Sequence, residues 1–333
     1  MNTRIVISAA AILLLSHVSL YGQPAAGSGV RHEAAGELVI FHAGSLSVPF
    51  RELSARFKQM YPNVTIKAEA AGSRDTARKV SDLARSCDVL GSADYMVIDN
   101  LLIPGFADVN IRFATNEMVI AYSGHSKERQ PLTVAAWPRV LMDDRVFFGR
   151  SDPNRDPCGY RTEMLFQLAE RYYSMPGLAG ALQEKHGSKF IRPKETDLLA
   201  LLEAGEIDYL FIYRSVASQH GLDFLLLPDE LNLKSDALAD LYATAKVKVT
   251  GTKPGEMIER SGAPMVYGVT IPRNCANREL AEAWVCLLLS EEGRKIMERN
   301  GQPAIAPALT AQFDKLPDVL KPLCKSISIM DDE

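Results

Sequence analysis

The chain has 333 residues, 47% of them hydrophobic and 23% charged. That length suits two domains, and the composition is enough for a core that needs no staples. A formal net charge of −4 excludes a nucleic-acid binder that works through its overall field; an anionic ligand would have to be held by local dipoles.

Arg4 is followed by an almost wholly apolar run from Ile5 to Leu15, then by mostly small or polar residues through Gly29. This order predicts a secretory signal peptide over residues 1–26, cleaved between Gly22 and Ala26. The run is short for a membrane span. No Cys follows it, which disfavours a lipid-attached form, so the mature protein is expected to be exported to the periplasm and soluble. The five cysteines, Cys87, Cys158, Cys275, Cys286 and Cys324, are an odd number. In an oxidising compartment at least one is unpaired or bridges to another chain. No CxxC pair or Cys/His cluster suggests zinc.

From residue 37 strand and helix patterns alternate. Leu38–Phe41 reads as a buried strand. After the loop His42-Ala43-Gly44-Ser45, Phe50, Leu53, Phe57 and Met60 mark a helix with Pro49 in its first turn. Val64–Glu69 is the next strand, Ala71-Gly72-Ser73-Arg74 the next loop, and Thr76–Ala84 the next helix. Val119–Tyr122 and Arg145–Gly149 read as strands, and Met164–Tyr172 as a helix. Leu198–Leu202 is a helix stopped by Gly205. Tyr209–Tyr213 is a strand before a short helical pattern, Ser215–His220. Val266–Ile271 is a late strand, with helices over Leu280–Leu289 and Glu292–Asn300. This β-loop-α repetition signals parallel sheet covered by helices.

In open parallel sheets, ligands sit beyond the carboxyl ends of strands. Gly44-Ser45 and Gly72-Ser73 stand there, each opening a helix. Glycine admits close backbone approach, while serine hydroxyls, free amides and the helix dipole favour an oxyanion. Plain N-capping by serine is the alternative. Asp156-Pro157 is a good helix start, and Glu195-Thr196 a turn with a capping threonine. Both also fall in the expected cleft, where a bare carboxylate repels a dianion unless it is protonated or bonded to a metal centre. Molybdenum(VI) and tungsten(VI) can widen their coordination shells to accept carboxylate oxygens; sulfur and phosphorus do not do so readily. Such a pair selects the heavier oxyanions and penalises the lighter ones. For Arg74, Arg150 and Arg161, one-to-one ion pairing is the default. No GxSxG, P-loop or strand-following GxGxxG occurs.

Several segments resemble the tungstate/molybdate-binding proteins first associated with archaea: His42-Ala43-Gly44-Ser45-Leu46, Ala71-Gly72-Ser73-Arg74, Ser92-Ala93-Asp94-Tyr95, Ser151 to Arg161, Arg192 to Leu198, Asp208 to Ala217 and Leu227-Pro228-Asp229-Glu230. The likeness spans roughly residues 37–310, and DPCGYR and PKETDL are its specific elements. It implies an α/β, type II periplasmic binding protein fold: two lobes with parallel or mixed sheets flanked by helices, joined by two crossover strands. It places lobe 1 at 37–117 plus 264–325 and lobe 2 at 118–263, with crossings near Val119 and Val266. It implies oxyanion contacts at Gly44, Ser45, Ser73, Asp156, Pro157, Cys158, Glu195 and Tyr213, with Asp156 and Glu195 bonded to the Mo or W centre. The expected partners are the membrane permease subunits of an ABC importer, and the expected protein is a monomer without a cofactor that is not an enzyme. Two alternatives stand beside this: sulfate, thiosulfate or phosphate as the ligand, or an enzyme on the same fold with Cys158 as nucleophile.

Overall fold

Strands and helices follow one another through the computed structural model, which describes residues 34–124, 132–251, 253 and 255–327. The expected signal segment, 1–26, lies outside them. The first stretch runs β1 (Gly36–Ala43), α1 (Ser47–Met60), β2 (Val64–Ala71), α2 (Ser73–Ser81), β3 (Val89–Ser92), α3 (Tyr95–Leu101) and β4 (Ile111–Thr115). The second runs β5 (Met118–Tyr122), α4 (Trp137–Met142), β6 (Phe148–Ser151), α5 (Pro157–Tyr172), α6 (Leu178–Glu184), β7 (Ile191–Arg192), α7 (Leu199–Glu203), β8 (Tyr209–Tyr213), α8 (Arg214–Gln219), β9 (Asp223–Leu226), α9 (Asp229–Asn232), α10 (Ala239–Ala243), β10 (Lys246–Thr250) and β11 (Met257–Ser261). The chain then returns through β12 (Val266–Thr270), α11 (Arg278–Leu289), α12 (Glu291–Arg299), β13 (Ala304–Thr310) and β14 (Cys324–Ser326).

Among the described residues, one sheet has the order β14-β13-β4-β12-β3-β1-β2 and a second the order β7-β6-β8-β5-β9. The β1–β2, β1–β3, β6–β7 and β6–β8 pairs are parallel, as the strand–helix repetition predicts. The pairs made by β4, β5 and β12 are antiparallel. These strands flank the two passages between the sheets, at Asn116-Glu117 and at 262–265. The β10–β11 hairpin packs on α5, tied by Gln167, which accepts from Lys246 N at 2.9 Å and donates to Lys246 O at 2.7 Å. Every residue of α5 from Pro157 to Phe166 is buried. No helix among the described residues is long and apolar enough to cross a membrane, and all five thiols are free.

Two elements start elsewhere than the sequence pattern predicts. The strand expected at Arg145–Gly149 is Phe148–Ser151. Aspartates take the preceding amides: Asp143 Oδ1 accepts from Arg145 N at 3.0 Å, and Asp208 Oδ2 from Phe147 N at 2.9 Å. The helix expected at Thr76–Ala84 is Ser73–Ser81; Ala84, at φ 49°, has left the helical region.

The lobes are closed on each other. Arg155 O accepts from Arg74 N at 3.1 Å and from Asp75 N at 3.3 Å. Arg78 donates to Thr250 Oγ1 at 2.7 Å and to Gly251 O at 3.0 Å. The Gly72 Cα sits so near the facing lobe that a Cβ there would lie 2.3 Å from Arg155 O.

Candidate functional site

The site is assembled from strand ends. Gly44 and Ser45 lie in a 3-10 turn, Gly44–Leu46, directly after β1. Ser73 opens α2 after β2. Asp156 is the N-cap of α5, with Pro157 at the first helical position. Glu195 opens the 3-10 turn Glu195–Leu198 after β7, and Tyr213 ends β8. Strand ends gather because parallel neighbours finish at the same edge of a sheet. The facing lobes bring the two edges together: a Cβ on Gly44 would lie 2.9 Å from Glu195 Oε1 and 3.0 Å from Oε2. Ser45, Ser73, Asp156, Glu195 and Tyr213 are each no more than 1% exposed.

The N-caps of α1 and α2 are Leu46 and Gly72, so neither Ser45 nor Ser73 stands at the capping position. Ser45 Oγ accepts from Tyr267 Oη at 3.0 Å, and Ser73 Oγ accepts from Ala93 N at 3.0 Å. Each hydroxyl is thereby held as an acceptor and keeps its own proton to donate. Tyr213 Oη likewise accepts from Arg161 at 2.9 Å, with its proton left over.

Asp156 meets both expectations at once. It caps α5 by accepting from Cys158 N at 3.4 Å, and its other oxygen accepts from Glu195 N at 3.0 Å. Glu195 differs: both carboxyl oxygens are buried, and what they face is the Asp156 carboxyl. Burial, and then the Asp156 carboxylate beside it, hold the Glu195 carboxyl well above the usual range. Burial raises Asp156 as well. Among the described residues, no group of three or more His, Cys, Asp or Glu could hold a bare metal ion. Two carboxylates suit instead a centre that brings its own oxygens. Pro157 has no N–H and can only frame the site, while Cys158 Sγ turns to Phe211 O at 3.7 Å.

The cleft is also rich in buried guanidinium groups. Arg150 pairs with Glu163 at 3.0 Å and Arg161 lies 3.8 Å from Asp94, as one-to-one pairing predicts. Arg74 departs from that rule. It donates to Asn154 O at 3.1 Å and to Thr250 O, and no carboxylate among the described residues pairs with it. Burial brings its pKa down only to about 10, so it stays charged at neutral pH. Arg260 is 4% exposed, with no ion pair among the described residues and its Nε unpartnered. Cations without an ion pair in a low-dielectric interface favour an anion. Ser151, also buried and facing Asp156 and Cys158, ends β6 and could have been found by inspecting strand ends. Arg260, Tyr267 and Asn116 carry no local sequence signal of their role.

The family model of bacterial extracellular solute-binding proteins matches residues 38–302. The chain is 50% identical over 290 residues to an uncharacterized solute-binding protein of Petrotoga mobilis, covering 87% of this chain and 90% of the relative. It is 40% identical over 312 residues to the molybdate/tungstate-binding protein WtpA of Thermococcus kodakarensis, covering 86% of each. Among solved structures, the periplasmic molybdate-binding protein of Azotobacter vinelandii superposes with a TM-score of 0.56 at 14% identity, covering 80% of this chain and 98% of that one. At that identity the likeness shows the two-lobed fold alone.

Proposed function

The chain belongs to the bacterial extracellular solute-binding protein family, and from that premise we propose that it captures tungstate or molybdate outside the cytoplasm and delivers it to the permease subunits of an ABC importer. Capture is by a monomer whose signal segment, 1–26, is removed on export. The lobes are 37–117 with 264–325, and 118–263. The observation that carries the reading is Glu195, a fully buried carboxyl set against the Asp156 carboxyl, among hydroxyls that have protons to spare. A site for sulfate, which has no proton to give, would offer donors rather than a pair of carboxyl oxygens, because an ionised carboxylate facing a dianion repels it. A six-coordinate tungsten or molybdenum centre turns that repulsion into two bonds. WtpA, as a relative named for these two ligands, points the same way.

Binding is clamp closure. One lobe offers Ser45 and Ser73, the other Asp156, Glu195 and Tyr213. A ligand bonded to both stabilises the closed form, which the permease distinguishes from the open one. The oxyanion is the cargo, and no cofactor takes part. Cys158 does not serve as a nucleophile. Burial, and then Asp156 and Glu195, push its thiol well above the usual range, which withholds the reactive thiolate.

Calorimetric titration of the mature protein with tungstate, molybdate, sulfate and phosphate tests the reading. The two heavy oxyanions should bind about 100-fold tighter than sulfate, the difference made by charge-assisted bonds of ~3 kcal/mol in total. Equal affinities for all four would remove the coordination role of the carboxylates.

A further inference from the structure

The hydroxyl of Ser45 does not stand alone. It ends a chain of hydrogen bonds that passes through both crossovers. Asn116 lies on the first crossover, between β4 and β5, and Tyr267 lies in β12, just after the second. Asn116 Nδ2 donates to Tyr267 Oη at 2.8 Å and to Ser215 Oγ at 2.7 Å. Tyr267 Oη donates in turn to Ser45 Oγ at 3.0 Å. Asn116 Oδ1 accepts from Glu117 N at 2.9 Å and from Ser215 N at 3.4 Å, so the amide cannot be flipped without facing two donors with its NH2 group. Gln302 Nε2 donates to Ser45 O at 2.8 Å and fixes the turn from behind. Asn116 is 4% exposed, and Ser45, Ser215, Tyr267 and Gln302 are fully buried.

The direction of the chain is set by these contacts. Both amide protons of Asn116 are committed, so Tyr267 receives a proton from Asn116 and must donate its own to Ser45. Burial raises the Tyr267 phenol above its usual range, which keeps that proton in place. Ser45, receiving a proton, has its own left, and that proton makes no hydrogen bond to another described residue. We propose that Asn116 and Tyr267 are positioning residues that aim the Ser45 proton into the cleft and tie that aim to the geometry of the hinge. The amide of one crossover polarises the phenol of the other, and the phenol polarises the ligand-facing hydroxyl, each bond strengthening the next. Ser215 lies in α8 on the far lobe, so the chain is complete only when the two crossovers and α8 are in register. Closure and the donor strength of Ser45 are therefore coupled. This inference rests on the oxyanion-binding reading of the site.

The test is a double-mutant cycle of Tyr267→Phe and Ser45→Ala, read as tungstate affinity by calorimetry on the mature protein, with melting of the ligand-free protein alongside. One neutral hydrogen bond corresponds to about a fivefold change in affinity. Tyr267→Phe should weaken binding about fivefold to tenfold in the wild-type background and less than twofold when Ser45 is already alanine. Equal losses in both backgrounds would overturn the relay, because the phenol would then act without Ser45. Asn116→Ala leaves the tyrosine in place and should give the same non-additivity with Ser45→Ala; additive losses there would count equally against it. Wild-type protein that binds no oxyanion would instead refute the functional reading, and the two failures are thus distinct.

Discussion

Gly72→Ala is a wedge that acts on the closed clamp alone. Gly72 has φ −58° and ψ 143°, which alanine adopts without strain. As the residue before α2 it loses a mild N-cap preference on becoming alanine, while the unfolded chain loses freedom; these effects oppose each other. The stability of the open protein should therefore change little. Across the cleft the new Cβ would lie 2.3 Å from Arg155 O and 2.8 Å from Arg155 C, both backbone atoms. Ordinary contact needs about 3.5 Å, so the lobe edges must part by roughly 1 Å. That parting breaks the bonds from Arg74 N and Asp75 N to Arg155 O, now 3.1 and 3.3 Å. At about 1 kcal/mol each, their loss weakens tungstate binding about 30-fold. Calorimetry gives the affinity, melting of the ligand-free variant checks the open protein, and small-angle scattering with ligand reads the closure. Affinity within twofold of wild type would show that closure of this edge is not linked to binding. A large drop in ligand-free melting would show that the methyl damages a lobe instead.

Glu195→Gln should cost about 100-fold in tungstate affinity and leave sulfate binding nearly unchanged, since only the metal centre uses the carboxylate; calorimetric losses of equal size for both anions would refute this. The same variant tests linkage. A carboxyl whose pKa is raised on folding holds a proton that the unfolded chain releases near 4.5, so it removes stability as pH rises above that value. Ligand-free Glu195→Gln should lack that decline when urea melts are compared between pH 4.5 and 8. His42 is buried, its Nδ1–H donating to Ala43 O at 2.8 Å, and burial first of all lowers its pKa from 6.5 to about 4. The unfolded chain takes up a proton below 6.5 that the fold refuses until about 4, so stability falls through that window by about 3 kcal/mol in all; wild-type and His42→Gln melts should diverge there, and parallel curves would contradict the assignment. Asp75→Asn breaks the partly exposed Asp75–Arg155 pair across the cleft, 2.6 Å apart, and should cost less than about 1 kcal/mol of binding, vanishing in high salt. A tenfold, salt-independent loss of affinity would show that the pair is a principal part of the latch.

The elements that carry the site were legible because each depends on a few adjacent residues. Apolar runs such as Leu38–Phe41 and Tyr209–Tyr213 form strands as their short apolar pattern predicts, and Pro157 after Asp156 starts a helix, as the local N-cap chemistry predicts. Residues next in the chain after a strand stand at its end, so Gly44-Ser45, Gly72-Ser73 and Tyr213 could be named in advance; Glu195 is named instead as part of the turn before the Leu-rich helix, since β7 is only two residues long. The turn at Asp143–Val146, by contrast, depends partly on Asp208, far along the chain, and the strand expected there starts late. The short β3 carries too little periodicity to announce itself, whereas β10, Lys246–Thr250, alternates polar and apolar with period two and could have been found.

The sequence by itself determined the repeating strand–loop–helix units and the chemistry at their ends, because backbone propensity and hydrophobic period act over a few residues. The tertiary structure alone decided which ends meet. It set Glu195 against Gly44, buried Arg74 and Arg260 without ion pairs among the described residues, and threaded Asn116, Tyr267 and Ser45 into one chain of donors. Those relations join residues distant in sequence through packing of the two lobes, and contact across a cleft leaves no period for a sequence to display.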